Sequence, residues 1–199
     1  MKIIGITGGI GSGKSRVLDF MENEYHAYIV KTDQVAHKLQ EPGNECYTRI
    51  VALFGKSILR EDGTLDRKKL GDLVFADEEK LQKLNGIVHP FVKTYVKEEI
   101  KKVEKEQKDL FLIESALLME DHYEEICDEL WFIFSEKEVR IQRLRESRKL
   151  TEEKISRIMT SQAGEEAYRC YCDRIIDNSG DFARTKEQID RAVKETDRR

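Results

Sequence analysis

The sequence predicts an α/β fold of five short strands, with a helical insertion between the second and third and a pair of helices between the fourth and fifth. Three observations predict it. The stretch Gly8-Gly9-Ile10-Gly11-Ser12-Gly13-Lys14-Ser15 lies between an apolar run and a helical pattern. Four further short apolar runs, bounded by polar residues, are spaced along the chain. Residues from about 42 to 108 show helical periodicity and no convincing strand.

The first strand is Ile3-Ile4-Gly5-Ile6, ending in Thr7. The glycine stretch that follows fits G-x-x-x-x-G-K-[ST], and after it Val17, Leu18, Phe20 and Met21 recur at helical spacing. Strand, glycine loop and helix together describe a phosphate-binding loop. Its glycines let successive N–H groups turn inward, and the helix N-terminus adds its own unpaired N–H groups. Residues Gly9, Ile10, Gly11, Ser12 and Gly13 would cradle the phosphates, Lys14 would reach the β and γ positions, and Ser15 would ligate Mg²⁺. The bland alternative is a glycine-rich turn with no ligand, and the flanking strand and helix weigh against it. A nucleoside triphosphate is the expected ligand.

Ala27-Tyr28-Ile29-Val30 reads as a second strand, and Asp33 opens a helical pattern through Val35, Ala36 and Leu39. Asp33 is either that helix's N-cap or a carboxylate at the sheet edge where open α/β sheets hold ligands. Spacing leaves both readings open.

In the insertion, Pro42-Gly43 marks a turn, a helix through Ile50, Val51 and Phe54 stops at Gly55, and Asp62-Gly63 marks another turn. Helical periodicity runs through Leu70, Leu73, Val74, Leu81, Leu84 and Val88, and His89-Pro90 is expected to interrupt it. A long helix is expected from Phe91 to Lys108, with Val92, Tyr95, Val96, Ile100 and Val103 on one stripe and a solvated Lys/Glu face opposite. The insertion suits acceptor binding in a phosphotransferase; a purely structural insertion is the alternative.

Leu110 to Ile113 is the third strand, ending in Glu114, an acid placed to support Mg²⁺ directly or through water. Leu130 to Phe134 is the fourth, Arg174 to Asp177 the fifth, and Phe182 to Lys194 an amphipathic helix. Between the last two strands, residues 136–149 carry six basic side chains (Lys137, Arg140, Arg143, Arg145, Arg148 and Lys149) against three acidic ones. Arg140 and Arg143 share a helix face, where like charges repel; arginine forks around a triphosphate would reverse that penalty. Thr151 then caps a further helix that begins with Glu152 and Glu153. Helix, basic turn and helix make a candidate lid, against a merely solvated basic helix.

The net charge of −4 provides no global field for nucleic acid, and no apolar run approaches the ~20 residues of a membrane span. Met1-Lys2 leads directly into a strand rather than a leader, so the cytoplasm is the expectation; separately, a monomer is expected. Cys46, Cys127, Cys170 and Cys172 lack zinc-site spacing and are expected to be reduced, mostly buried thiols.

The order of the glycine loop, Asp33, Asp62-Gly63-x-Leu65-Asp66-Arg67-x-x-Leu70, Val74-Phe75, His89-Pro90 and Leu117-Leu118-x-Glu120 resembles the dephospho-coenzyme A kinase family. So do Gln142-Arg143-Leu144, Gln162, Asp173 and Asp177-Asn178-Ser179-Gly180, and the resemblance spans Ile3 to Val193. It implies a P-loop NTPase-like fold with a five-stranded parallel sheet: core 1–41, 109–135 and 173–199, a coenzyme-A-binding insertion at 42–108, and a lid at 136–172. It implies transfer of the ATP γ-phosphate to the ribose 3′-hydroxyl of dephospho-CoA. Asp33 would orient or deprotonate that hydroxyl, Lys14 and Mg²⁺ on Ser15 would neutralise phosphates, and Arg143, with Arg140 second, would act from the lid. Arg67, His89, Leu117 and Leu118 fall at acceptor positions, and Asn178 where the family approaches adenine.

Four positions depart from the family pattern. Arg16 stands where Thr is usual and could meet a nucleotide phosphate; Lys31 replaces an acid, Ala116 a proline, and Ser147 the second lid arginine, with Arg148 following. Two other readings compete: a P-loop kinase for another hydroxyl acceptor, and a nucleotide-dependent switch protein. The latter predicts an N-K-x-D element, which Lys31-Thr32-Asp33 matches only superficially.

Overall fold

The structure, a computed structural model, describes residues 1–149, 151–160 and 162–196, with Arg148 and Thr196 described in backbone only. The strands are β1 (Lys2–Thr7), β2 (Tyr28–Lys31), β3 (Leu110–Glu114), β4 (Glu129–Phe134) and β5 (Arg174–Asp177). The helices are α1 (Lys14–Tyr25), α2 (Thr32–Leu39), α3 (Glu45–Phe54), α4 (Arg67–Phe75), α5 (Glu78–Glu104), α6 (Lys137–Arg148), α7 (Glu152–Thr160), α8 (Glu165–Tyr171) and α9 (Phe182–Thr196).

The five strands form one sheet in the order β2-β3-β1-β4-β5. Strand β1 is central, with Ile4 and Ile6 completely buried, as are Leu112 in β3 and Trp131 and Ile133 in β4. Parallel pairing sets Ile6 beside Glu114, Thr7 beside Phe132 and Phe134 beside Asp177. Strand ends therefore gather at one edge, where the glycine loop, Glu114, Ser135 and Asn178 emerge together. Helices α1 and α9 cover the sheet with Val17, Leu18, Met21, Phe182, Ile189, Ala192 and Val193.

At the opposite edge, aspartates clasp neighbouring strands. Asp128 accepts the Ile3 N–H on Oδ2 at 2.7 Å while its own N–H donates to the Ile3 carbonyl at 2.8 Å. Asp173 repeats the pattern on Leu130, at 2.8 Å in both directions. Beside them, Glu129 is buried between Lys2 (3.0 Å), Arg174 (3.0 Å) and the Trp131 indole N–H (2.8 Å).

The chain divides into two compact units, residues 1–29 with 106–199, and residues 30–105; β2 straddles the junction. In the second unit α5 is the spine on which α2, α3 and α4 pack, through Val88, Val92, Val96, Ile100 and Val103. Expectation and structure differ here in three places. Helix α5 runs unbroken through Pro90. Proline removes one N–H and crowds the carbonyl four residues back, yet the buried valine stripe continues on both sides of it. Conversely, the periodicity read as continuous from Leu70 to Val88 is broken at Ala76, where Asp77 caps a new helix by accepting the Lys80 N–H at 3.2 Å. The long helix also ends at Glu104, before the expected Lys108.

Thr151 accepts the Lys154 N–H at the start of α7. The cysteines are all free thiols, but only Cys46 is fully buried and Cys170 is exposed, which corrects the expectation of mostly buried thiols. Among the described residues no helix is long and apolar enough to cross a membrane.

Burial alone would push the Glu129 carboxyl up, but hydrogen bonds from Arg174, Trp131 and Lys2 prevail and bring it to about 2. A carboxyl depressed by folding contributes stability above its unfolded value and loses it as pH falls towards its folded value. Unfolding free energy should therefore fall between about pH 4.5 and pH 2, and less steeply in Glu129→Gln, as chemical denaturation at several pH values will measure. Glu129→Ala should cost about 3 kcal/mol at neutral pH, because two cations and an indole N–H lose their acceptor.

Candidate active site: a glycine loop ringed by arginines

The glycine loop is held from below by one carbonyl. The Ser12 carbonyl oxygen accepts from Asn178 Nδ2 (2.8 Å) and Arg143 Nη1 (3.3 Å), and the Ser135 hydroxyl lies 3.0 Å away. These donors come from three elements: Ser135 follows β4, Arg143 projects from α6 and Asn178 follows β5. Arg143 also donates Nη1 to Ser135 Oγ (3.0 Å) and Nη2 to the Asn178 carbonyl (2.8 Å), so one guanidinium ties both strand ends to the loop. Asn178 is buried, with Oδ1 3.2 Å from the Thr185 hydroxyl.

Glycine is required where these groups press in. Gly13 has φ +84°, and a Cβ there would overlap the Asn178 amide; at Gly9 it would overlap the Arg140 guanidinium. Lys14 folds back to donate Nζ to the Gly8 carbonyl at 2.5 Å. Arg140 donates Nε to the Ile10 carbonyl at 2.8 Å, and Gln162 Oε1 accepts the Ile10 N–H at 2.9 Å and Arg140 Nη2 at 3.2 Å. A cavity of about 30 Å³ lies beside these groups, lined by Gly9, Ser12, Arg140, Gln162 and Tyr168 among others. The buried Ser12 hydroxyl has no hydrogen-bond partner among the described residues.

Arg16 is exposed on the first turn of α1, its guanidinium stacked 4.0 Å from the centre of the Phe182 ring. Burial, and then the charge of Arg16, act against protonation of Arg143; burial does the same at Arg140. None of Arg16, Arg140 and Arg143 has a carboxylate ion-pair partner among the described residues. Three guanidinium groups and Lys14 thus concentrate positive charge around backbone N–H groups at the end of a parallel sheet.

Ser15 is exposed at the start of α1, and Glu114 is half-buried beside Ile6 at the end of β3. Hydroxyl and carboxylate are hard oxygen donors that suit Mg²⁺. Among the described residues there is no cluster of three or more His, Cys, Asp or Glu that could hold a metal ion.

In the other unit, Asp33 is exposed in the first turn of α2. It is not the N-cap: the helix starts one residue earlier and Lys31 occupies that position. Arg67 is exposed at the start of α4 and donates Nη2 to the His37 carbonyl at 3.2 Å, and His89 is half-buried on α5. After β3, Leu117 is 38% exposed whereas Leu118 is completely buried against Gly5, so of this pair only Leu117 can meet a ligand directly. Ser147 donates to the Arg143 carbonyl at 2.6 Å, and the Arg148 side chain lies outside the described residues.

Sequence reasoning missed Ser135 and the seat of Arg16 on Phe182. A serine directly after the aromatic fourth strand, at the sheet edge that bears the loop, was the available signal for the first.

Fold and site together define a P-loop phosphotransferase, with a cationic ring where a triphosphate's charge would lie. The dephospho-CoA kinase family model matches residues 2–184. The dephospho-CoA kinase of Carboxydothermus hydrogenoformans is 37% identical over 190 residues, covering 95% of this chain and 91% of that protein. A crystal structure from Thermus thermophilus superimposes with a TM-score of 0.83 at 28% identity, covering 98% of this chain and 97% of the other. The dephospho-CoA kinase of Campylobacter jejuni does so with a TM-score of 0.70 at 26% identity, covering 98% of each chain. The chain belongs to the dephospho-CoA kinase family.

Asn178→Ala should leave the Ser12 carbonyl and the Thr185 hydroxyl short of a partner in a buried setting. A loss of about 2 kcal/mol in urea unfolding is expected, within the usual range for orphaned buried polar groups.

Proposed function

We propose that this chain transfers the γ-phosphate of ATP to the ribose 3′-hydroxyl of dephospho-CoA, giving CoA and ADP, the closing step of coenzyme A synthesis. One observation carries the reading: Arg16, Arg140 and Arg143 stand around the glycine loop without carboxylate partners among the described residues, in a chain whose family match runs nearly end to end. Such a ring is costly unless an anion occupies it, since like charges repel and burial opposes them.

In this reading the loop N–H groups, from Gly9 to Ser15, hold the phosphates of ATP, and Lys14 turns from the Gly8 carbonyl to the β- and γ-phosphates. Arg143 and Arg140 neutralise the γ-phosphoryl group as it loosens from the β–γ bridging oxygen. Arg16, on its aromatic seat, contributes positive charge at the mouth of the loop. Ser15 and Glu114 would hold Mg²⁺, which screens phosphate charge when bound. Asn178 serves the nucleotide indirectly, through the loop it supports.

The acceptor oxygen attacks the γ-phosphorus as the bond to the leaving ADP breaks, and its proton passes to Asp33. Asp33 also orients the hydroxyl; positioning and charge stabilisation dominate in a loose transition state. Arg67, His89 and Leu117 are assigned to the acceptor, and Leu118 supports its neighbour from within the core. The insertion at residues 42–108 acts as the acceptor-binding part and residues 136–172 as the lid.

The test is an assay of ADP and CoA formation from ATP, Mg²⁺ and dephospho-CoA. ADP release that depends on dephospho-CoA supports the proposal; turnover only with another hydroxyl acceptor replaces it with the broader kinase reading. Asp33→Asn should lower kcat by ~10²-fold or more with ATP affinity retained in calorimetry, and unchanged kcat would remove Asp33 from the mechanism. Chelation by EDTA should abolish turnover, and added Mg²⁺ should restore it.

A further inference from the structure

One residue near the loop has a geometry that the chemistry above does not use. Gln162 lies in the short connection between α7 and α8, far along the chain from the loop. Its Oε1 accepts two hydrogen bonds, from the Ile10 N–H at 2.9 Å and from Arg140 Nη2 at 3.2 Å. Arg140 in turn donates Nε to the Ile10 carbonyl at 2.8 Å. Ile10 therefore has both of its backbone groups engaged by one closed ring of side chains. Both neighbours of Oε1 are donors, so the amide oxygen, not the nitrogen, must face them.

We propose that Gln162 is a positioning residue, which holds Arg140 in register with the glycine loop while leaving its charge uncancelled. A guanidinium can be steered most cheaply by a carboxylate, but a carboxylate would neutralise it and set a negative charge beside the incoming phosphates. Two neutral oxygens fix the guanidinium without that cost: Nη2 points to the Gln162 amide oxygen, Nε to the Ile10 carbonyl, and Nη1 has no protein partner among the described residues. The bare backbone at Gly9, where a Cβ would overlap the guanidinium, makes room for the arrangement. The connection between α7 and α8 thus senses the loop through Ile10 and passes its position to Arg140.

This inference rests on the assignment of the loop to ATP, and calorimetric ATP binding, which needs no acceptor, separates its failure from failure of the dephospho-CoA reading. Gln162→Ala should lower kcat/KM for ATP by about tenfold or more, the scale on which small misplacements of a charged group act, with a melting temperature close to that of the parent. Gln162→Glu preserves both accepted hydrogen bonds and should fold at least as well, yet bind ATP more weakly than Gln162→Ala. In an Arg140→Ala background, Gln162→Ala should change kcat/KM by less than about twofold, because its partner is gone. Parent-like kinetics in Gln162→Ala, multiplicative effects in the double variant, or parent-like ATP affinity in Gln162→Glu would each overturn the proposal.

Discussion

The site rests on the carbonyl oxygen of Ser12. A peptide oxygen has two lone pairs, and here three donors from three separate elements converge on it. The loop is consequently fastened by its outward carbonyl at Ser12, while the Ile10 N–H is taken by Gln162 Oε1 and the Ser12 N–H by the Gly9 carbonyl. A backbone made rich in glycine to present N–H groups is also a backbone with little side-chain packing of its own. Its shape must be imposed from outside, and β4, α6 and β5 impose it. Removing glycine and removing the buried amide of Asn178 are then two ways of disturbing one fit, since a Cβ at Gly13 would occupy the space the amide fills.

The same residues explain how the protein tolerates so much positive charge in one place. Arg143 is committed to carbonyl and hydroxyl oxygens, Arg140 to a carbonyl and an amide, and Arg16 to the face of an aromatic ring. Each partner is neutral or only partly negative. The side chains are oriented and their charge is kept, whereas at the opposite edge of the sheet Glu129 pairs fully with Lys2 and Arg174. One edge of the sheet cancels its charges, and the other leaves its arginines without carboxylate ion pairs among the described residues.

Much of this was legible in the sequence. Strands announce themselves as short apolar runs, and all five lie within a residue of their expected ends because nothing polar interrupts them. The loop, Arg140 and Arg143 were legible because phosphate chemistry demands particular residue types at particular spacings. Local rules failed where tertiary context overrode them. Pro90 ought to break a helix, but the valines on either side are held by packing. Asp77 with Glu78 and Glu79 was a readable helix start, masked by apolar periodicity that happened to stay in phase across it. Asp33 resembles a cap by composition and misses that role by two positions, because the helix begins at Thr32. Ser135 carried only a weak signal, its place directly after the fourth strand, and a small hydroxyl there gains meaning when three elements meet around it.

The sheet order also has a bearing on how the chain is made. Strand β1 occupies the centre, yet its neighbours are β3 and β4, so Lys2 waits for Leu110 and Ile4 for Glu129. During synthesis β1 is made before either of its partners and stays unpaired while about a hundred residues follow it. Those residues include the whole unit from 30 to 105, which is complete before β3 is made. The early helical unit gives the ribosome-bound chain a compact body, while the exposed β1 edge is a target for chaperones until β3 is released.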